Sequence, residues 1–504
     1  MADAQKSRSD IVQPTATRTR QKPTPLVHTA SRHSSEPMKS PAYSSPGGIS
    51  PTTSEDSQQD DPTVIPRSHD YRTLVLCFDG TGDSFDADNS NIVHFFSMLK
   101  KDDPSQQMVY YQAGIGTYTI PQIATPLMAK ISKAIDMAVA NNLNAHVMGG
   151  YEFLMQNYQA GDKICIFGFS RGAYTARALA GMVHKVGLLP TCNHQQVPFA
   201  YKMFTREDEV GWKQSRAFKK AFSVNVEIEF MGVWDTVASV GIFPRRLPFT
   251  TSNSSVRFFR HAISLDEHRA KFQSNHWHRS PPDAHSLGVA GEEMPRSNQQ
   301  GGAPKTDPHH YHHHPGRHGR MPKTHSSRHF ERQFDDGDWE TDVLEVYFAG
   351  CHCDVGGGSV SNETRHSLAR IPLRWMIRQC FLAGTGIQFH RSCFVKVGIH
   401  PDHLYPFVRP RQPALYASPS TVDRVVKQSK HELEPSNETL KDELEEDRAL
   451  TPIVMEMTEE EEDLRDALSP IYDQLELSKG WWSLEVIPLK HRVQKDSLKW
   501  KKQY

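Results

Sequence analysis

The sequence lacks a long hydrophobic run and an excess of charge of one sign. No segment approaches the roughly 18 consecutive apolar residues of a membrane span, and the start, MADAQKSRSDIVQPTATRTR, lacks the apolar core of a secretory signal. We therefore expect a cytoplasmic protein without a transmembrane segment, and peripheral membrane contact stays open. The formal net charge is −1 at pH 7, so no global field attracts nucleic acid, and we expect no such partner.

Cysteine is scarce and follows no pattern. The seven cysteines are odd in number and show no repeated Cys-x-x-Cys spacing. Cys77, Cys165 and Cys351 lie in or at the ends of apolar, strand-like runs. They are predicted to be small buried hydrophobes in a reducing compartment.

Apolar residues are also few, at 37% of the 504 residues, beside 33 prolines. Less of the chain is therefore expected to fold than its length suggests. Residues 1–68, dense in Ser, Thr and Pro, are predicted to be a disordered tail, because they cannot bury enough apolar surface to offset the entropy lost on ordering. We assign no protein partner to the tails.

Three further segments depart from a globular pattern. Residues 275–338 contain HHYHHHPGRHGR and are predicted to be a disordered, His-rich insertion. Histidine clusters bind metals readily, but no carboxylate or cysteine is spaced as a partner, so we predict no metal site and no cofactor. Residues 413–475, with the run EMTEEEEDLRDAL, are predicted to be a solvated acidic helix or linker. Residues 476–504 regain aromatic residues and are expected to pack back on the core.

The remaining segment, residues 69–412, alternates short apolar runs with helical patterns. Five strands are predicted, at Leu74–Phe78, in MVYYQ, in KICIF, from about Val226, and in VLEVYF. The pattern from Pro126 to Tyr158 is helical. Strands that alternate with helices predict an α/β fold, a mainly parallel sheet covered by helices on both faces.

The third strand runs into GFSRGAYTARALAG, a Gly-x-Ser-x-Gly turn followed by a helix. This is the layout of a nucleophile elbow, in which Gly168 and Gly172 allow strand and helix to approach closely and Ser170 is exposed at the turn. A serine hydroxyl needs a base and oxyanion donors before it attacks a carbonyl carbon. The alternative is that Ser170 merely caps the helix; we favour the nucleophile.

A base and an acid follow later in the chain. His352, in FAGCHCDVGGG, comes after the last predicted strand, beside the loop of Gly356 and Gly357. Asp235 follows the fourth strand. Because parallel strands share one carboxyl edge, these side chains are expected to face the same crevice as the serine. The order Ser, Asp, His is that of α/β-hydrolases. Asp354 is the alternative acid.

The turn after the first strand, CFDGTGD, is predicted to complete the site. Its N–H groups at Gly80 and Thr81, together with that of Arg171, are expected to form an oxyanion hole. The same stretch raises a rival. An Asp-x-Asp-Gly-Thr turn would indicate a phosphatase that works through an aspartyl phosphate, but Cys77 stands where the attacking carboxylate is required.

These motifs, LCFDGTGD, GFSRGAYTARALAG, GVWDTVASVG and GCHCDVGGG, occur in an order that resembles a known family. It is the uncharacterised α/β-hydrolase-like domain whose best-known members are the catalytic domains of type VI secretion phospholipase effectors. The resemblance runs from about Arg72 to Gly386, without the His-rich insertion, and includes YYQAGIGTY, RHAISLDEHRAKF and IPLRWMI.

The resemblance implies a serine esterase of phospholipase type that acts on a lipid or small-molecule ester. Ser170 matches the family's nucleophile and His352 its base, while Asp235 is our own assignment of the acid. Two alternatives stay open because a fold does not fix a function. One is a catalytically inactive interaction protein on a hydrolase scaffold, and the other is the phosphatase.

Overall fold

The computed structural model describes residues 62–80, 83–114, 128–237, 247–278, 340–431, 455, 457–485, 491–494 and 500–503. Most of the predicted tail and of the predicted His-rich insertion therefore lies outside the described residues. Within the described part of the chain, no helix combines the length and the apolar character needed to cross a membrane.

The strands are β1 (Val64–Ile65), β2 (Thr73–Phe78), β3 (Gln107–Gln112), β4 (Lys163–Phe169), β5 (Ile228–Trp234), β6 (Val256–Ser264), β7 (Asp342–Phe348), β8 (Phe389–His390), β9 (His491–Gln494) and β10 (Trp500–Gln503). The helices are α1 (Asn91–Ser97), α2 (Met128–Asn157), α3 (Ser170–Val186), α4 (Val197–Thr205), α5 (Glu209–Phe222), α6 (His352–Gly356), α7 (Arg370–Leu382), α8 (Cys393–Lys396), α9 (Pro419–His431), α10 (Glu459–Ala467), α11 (Gln474–Leu477) and α12 (Trp482–Glu485).

Six strands form one sheet in the order β3-β2-β4-β5-β6-β7, and every neighbouring pair is parallel. Alternate residues of a strand face opposite sides of a sheet. Accordingly, Leu74 and Leu76 belong to the core cluster that includes α2 to α5, whereas Val75 and Cys77 belong to the cluster that includes α1 and α7. Both faces are covered, so the predicted α/β class is confirmed.

The strand order reverses direction at one place. The chain passes from β2 outward to β3 and then returns to β4 on the other side of β2. In open α/β sheets, the crevice beyond the carboxyl ends of the strands at such a switch point is the usual ligand site. The turn that begins at Asp79 and the one at Ser170 leave β2 and β4 at this position.

The sequence prediction missed β6, the strand between β5 and β7. Its run VRFFRHAIS carries Arg260 and His261 among apolar residues, and both side chains are buried. Buried polar side chains need partners, and both have them on β7. Arg260 pairs with Asp342 at 2.8 Å, and His261 Nδ1 lies 2.9 Å from a carboxylate oxygen of Glu345. The polar residues that obscured the strand pattern in the sequence therefore pair with carboxylates on the neighbouring strand.

A strand lies inside the segment predicted to be a disordered tail, since β1 pairs with β8 before residue 68. The acidic run also differs from the expected solvated helix. α7 presents Arg370, Arg374 and Arg378 at intervals of four, on one helical face. The carboxylates of α10 that are buried against this face are Glu459, Glu462 and Asp466. Charge pairing therefore contributes to the contact of α10 with α7.

The carboxyl-terminal segment divides into two parts. β9 and β10 pair with each other in an antiparallel two-stranded sheet and do not join the main sheet. Residues ahead of them, around α11 and α12, contact the loops at the carboxyl edge of the sheet, through Asp473 and His268 and through Trp481 and Phe272.

Candidate active site

Ser170 lies at a sharp turn between β4 and α3. Its φ is 57°, a left-handed backbone conformation that a residue other than glycine adopts only under constraint. The turn is tight because the start of α3 lies against the backbone at the end of β2 and against the end of β4. A Cβ at Gly172 would lie 2.3 Å from the carbonyl oxygens of Phe78 and Asp79, and one at Gly168 would lie 2.6 Å from the carbonyl oxygen of Gly172. Only glycine fits at either position.

Three predicted side chains meet at this turn. The Ser170 hydroxyl lies 2.7 Å from His352 Nε2, and His352 Nδ1 lies 2.6 Å from Asp235 Oδ2. All three side chains are buried. His352 begins α6, four residues after β7 ends, and Asp235 directly follows β5. The carboxyl edge of the sheet thus brings together residues that are 182 positions apart in the chain.

Asp235 is surrounded by donors. Its Oδ1 accepts hydrogen bonds from the N–H of Ser264 at 3.0 Å and the hydroxyl of Ser274 at 3.2 Å, and its Oδ2 accepts one from the Ser264 hydroxyl at 2.9 Å. Burial alone would raise the pKa of Asp235, but these bonds and the contact with His352 outweigh it and lower the pKa. Asp235 is therefore ionised at neutral pH, which makes His352 Nδ1 the protonated nitrogen and leaves Nε2 as the acceptor of a hydrogen bond from the Ser170 hydroxyl.

Asp354, the alternative acid, accepts hydrogen bonds from backbone N–H groups. Its Oδ2 accepts the N–H groups of Cys351 and Tyr472, both at 2.9 Å. It closes the first turn of α6 by a reciprocal capping arrangement with Cys351. In this geometry Asp354 orients the helix that carries the imidazole, while the contact with the imidazole itself belongs to Asp235.

The glycine loop lets this helix approach the elbow. A Cβ at Gly356 would lie 1.8 Å from the ring of Phe169, the residue before the candidate nucleophile. Gly357 has φ 86° and forms a bridge with Ser90. The same phenylalanine ring packs 4.7 Å from the imidazole of His352, centroid to centroid. The loop therefore sets the distance between the serine and the histidine.

The predicted oxyanion donors fare differently. Gly80 donates its N–H to Asp79 Oδ1 at 2.8 Å, so this donor is already engaged. Thr81 lies outside the described residues. The N–H of Arg171 belongs to the first turn of α3, where backbone donors have no partner within the helix. The N–H of Arg171 therefore stays a predicted oxyanion donor, at the positive end of the helix dipole.

Asp79 was not predicted as a functional residue, yet it is buried beside the elbow. Ser90 and Tyr111 donate their hydroxyls to it at 2.6 and 2.7 Å. Burial raises the pKa of Asp79, and these bonds counter the rise. A few residues on, burial and the neighbouring Asp79 raise the pKa of Asp83 to about 7. The turn after β2 is thus an acidic, hydrogen-bonded wall of the site.

Sequence reasoning also missed the residues that support the acid. His261 accepts the N–H of Thr236 on Nε2 at 3.1 Å and donates from Nδ1 to Glu345. It therefore fixes the backbone directly after Asp235. Phe272 packs its edge on His352, at 4.8 Å between centroids. His261 and Phe272 lie in RHAISLDEHRAKF and Glu345 lies in VLEVYF, stretches that the sequence analysis noted without assigning a role to these residues.

One group among the described residues has the spacing of a metal site. It comprises His366, Glu462 and Asp466, whose candidate ligand atoms lie within 4.8 Å of one another. Arg370 pairs with both carboxylates, at 3.1 and 3.4 Å. Because an arginine already supplies the positive charge, we interpret the group as part of the contact between α7 and α10.

The chain is similar to a described family and to a yeast protein. The model of a family described as T6SS, phospholipase effector Tle1-like, catalytic domain, matches residues 72–379. The chain is 36% identical over 231 residues to the uncharacterised protein YEL023C of Saccharomyces cerevisiae, a match that covers 42% of this chain and 34% of the yeast protein.

Two solved structures are similar. One is an uncharacterised protein from Pseudomonas aeruginosa, with a TM-score of 0.31 and 14% identity, over 82% of this chain and 62% of that one. The other is the Tle1 effector bound to the VgrG spike of the type 6 secretion system, with a TM-score of 0.26 and 16% identity, over 62% of this chain and 60% of that one. The chain spans about a third of the yeast relative and less than two thirds of either solved chain.

Proposed function

Since the chain belongs to the family of Tle1-like catalytic domains of type VI secretion phospholipase effectors, we propose that it is a serine hydrolase of carboxylic esters, with phospholipids as the substrate class. Family membership supports a hydrolase-like function of phospholipase type. The Ser-His-Asp mechanism, the acyl-enzyme and the residue roles given below are part of the proposal.

The first step is attack on the ester carbonyl. Ser170 Oγ forms a bond to the carbonyl carbon while its proton passes to His352 Nε2, 2.7 Å away. The imidazole becomes positively charged, and the carboxylate of Asp235 at 2.6 Å stabilises that charge and holds the ring in place. The oxyanion that develops on the carbonyl oxygen is stabilised by the N–H of Arg171.

The second step divides the intermediate. The bond between carbon and the alcohol oxygen breaks, and the proton on His352 Nε2 goes to the leaving alcohol, which leaves an acyl group on Ser170. Water then attacks the acyl carbon and gives its proton to the same nitrogen. Release of the fatty acid returns the proton to Ser170 Oγ, so the cycle balances without a cofactor.

The observation that carries this proposal is the continuous chain from the Ser170 hydroxyl through His352 to Asp235, on a strained elbow. A serine that only capped α3 would occupy the N-cap position, but that position belongs to Phe169, and Ser170 is the first residue of the helix. The hydroxyl is directed to the imidazole instead.

The test combines labelling with hydrolysis. The purified protein is treated with a fluorophosphonate probe, in the presence of phosphatidylcholine vesicles, and the modified peptide is identified by mass spectrometry. We expect the adduct on Ser170, fatty acid release from the vesicles, and loss of both in Ser170→Ala. A folded protein that is neither labelled nor active would refute the proposal and favour an interaction protein.

A further inference from the structure

The side chains of the proposed triad are covered. Ser170, Asp235 and His352 are each at most 4% exposed. An ester reacts only when its carbonyl carbon comes within about 3–3.5 Å of the nucleophile. A lipid ester, with its acyl chain and headgroup, cannot reach Ser170 Oγ through so small an opening, so part of the cover has to move.

Among the residues that the structure describes, part of this cover is a stack of aromatic rings. Phe272 packs edge-on against His352, and Trp481 packs edge-on against Phe272 with 5.4 Å between ring centroids. The guanidinium of Arg269 lies 3.6 Å from the Phe272 centroid and 4.8 Å from that of Trp481. The outer layer of this stack belongs to residues 468–485, which we call the C-terminal strap.

The tip of the strap is attached by a few polar contacts near the surface. Asp473 pairs with the exposed His268 at 2.6 Å, and the carboxylate of Glu485 accepts the N–H of Ala270 at 3.0 Å. The N–H of Tyr472 donates to Asp354 at 2.9 Å. The contacts of Asp473 and Glu485 lie near the surface, where such pairs contribute little to stability, whereas Asp354 is buried and its bond to Tyr472 is the firmest of the three.

The base of the strap is attached far more firmly. α10, directly before it, is held by Arg374, which contacts Asp463 at 2.5 Å and Asp466 at 2.6 Å, and by the pair of Arg378 with Glu459. These groups are largely buried, and separation of a buried ion pair is strongly unfavourable because it leaves a charge without its partner. The strap can therefore swing away while α10 stays in place.

Three large apolar side chains of the strap are exposed. Ile471, Leu477 and Trp482 are 52%, 64% and 58% exposed. Single exposed apolar side chains are ordinary, but here three lie within twelve residues of the segment that covers the site. Apolar side chains with a tryptophan suit the boundary between lipid headgroups and acyl chains. The strap carries three acidic residues and one lysine, so its charge favours a zwitterionic over an anionic surface.

We propose that the C-terminal strap is a lid and that a zwitterionic lipid surface opens it. Ile471, Leu477 and Trp482 insert into the surface, Trp481 separates from Phe272, and the crevice above Ser170 opens where the lipid ester is present. The inference rests on the proposed function, because the lid acts on the proposed nucleophile.

The test measures access to Ser170 directly. The rate of labelling by a fluorophosphonate probe is compared without vesicles, with phosphatidylcholine vesicles, and with anionic phosphatidylglycerol vesicles. We expect phosphatidylcholine to accelerate labelling at least tenfold and phosphatidylglycerol less. Trp481→Ala and Asp473→Asn should each accelerate labelling without vesicles, since both weaken the closed position.

A surface variant and a matched control complete the design. The double variant Leu477→Asn with Trp482→Asn should lose most of the vesicle effect. Leu382→Asn removes a similarly exposed leucine at the end of α7, away from the strap, and should keep that effect. Equal labelling rates with and without vesicles, in the wild type and in Trp481→Ala, would overturn the lid while leaving the proposed esterase intact.

Vesicle flotation separates the two proposals when Ser170 is not labelled under any condition. That result would refute the esterase. Flotation of the wild type and Leu382→Asn with phosphatidylcholine vesicles, but not of the double variant, would still support the lipid-binding surface. Failure of the wild type to float would overturn it.

Discussion

Asp235→Asn gives the sharpest test of the proposed triad, because the structure predicts the hydrogen bonds of the variant atom by atom. The asparagine Oδ1 can still accept the N–H of Ser264 and the hydroxyl of Ser274, as Asp235 Oδ1 does now. The Nδ2 group replaces Oδ2, and its two hydrogens meet His352 Nδ1 and the Ser264 hydroxyl. That hydroxyl can turn to accept, so we expect the site to keep its shape.

The consequence falls on the imidazole. With an amide donor opposite Nδ1, that nitrogen becomes the acceptor and the proton resides on Nε2, which faces the Ser170 hydroxyl. Nε2 then has no lone pair for the serine proton. In serine proteases, the same change of the triad aspartate lowers kcat by about 10⁴, which corresponds to about 5.5 kcal/mol of transition-state stabilisation. We expect a loss of this order here.

The assay is steady-state hydrolysis of a lipid ester, with thermal unfolding as the check on folding. Asp354→Asn is the matched control, because Asp354 contacts backbone N–H groups and not the imidazole, and its rate should stay within about tenfold of the wild type. If Asp354→Asn lost about 10⁴ and Asp235→Asn retained activity, the assignment of the acid would be wrong.

Three further predictions concern the scaffold. Gly172→Ala should destabilise the fold by about 1–3 kcal/mol or more, since its Cβ meets backbone oxygens at 2.3 Å; chemical denaturation measures this. Asp83→Asn should stabilise the protein, and by about 2 kcal/mol more at pH 8 than at pH 5.5. Burial raises the pKa of Asp83 from 3.8 to about 7. The folded protein therefore loses stability as the pH rises from the unfolded pKa through 7 and Asp83 ionises, whereas asparagine stays neutral. Arg374→Met should lower the free energy of unfolding by up to about 3–5 kcal/mol, because it removes the cation 2.6 Å from the buried Asp466 carboxylate, which then keeps Arg370 at 3.4 Å.

Each of these has its own control. Gly149→Ala adds the same methyl group on α2, where it meets side-chain atoms, the hydroxyl of Tyr110 at 3.1 Å and Nε2 of Gln112 at 3.8 Å, and no backbone atom is among these neighbours. A stability loss equal to that of Gly172→Ala would contradict the packing argument. For Asp83→Asn, a benefit that does not change between the two pH values would show that ionisation plays no part. For Arg374→Met, the additional change Asp466→Leu should recover stability, and no recovery would contradict the charge pairing.

The motifs of the sequence predicted the elements that carry the site. Apolar runs of about six residues identified β2, β3, β4, β5 and β7, and the Gly-x-Ser-x-Gly turn placed Ser170 between β4 and α3. The family resemblance predicted from the same motifs is confirmed by the family match over residues 72–379. These features are local, so a single stretch of sequence contains the whole signal.

Other features depend on partners that are distant in the chain. β6 was missed because Arg260 and His261 interrupt its apolar pattern, and their buried positions depend on pairing with Asp342 and Glu345 of β7. The acidic run was predicted to be solvated because the sequence does not show that the arginines of α7 pair with its carboxylates. The sequence favoured Asp235 as the acid but left Asp354 as an alternative, since both follow strands on the same edge.

Strand period, turn chemistry and chain order are properties of neighbouring residues, so the α/β class, the elbow and the set of residues that could react are all readable before folding is considered. Three other features needed the folded molecule: the contact of Asp235 with His352, the bond from the N–H of Gly80 to Asp79, and the position of the C-terminal strap over the site. Hydrogen bonds and ring contacts act over a few ångströms, and folding alone brings residues far apart in the chain within that range.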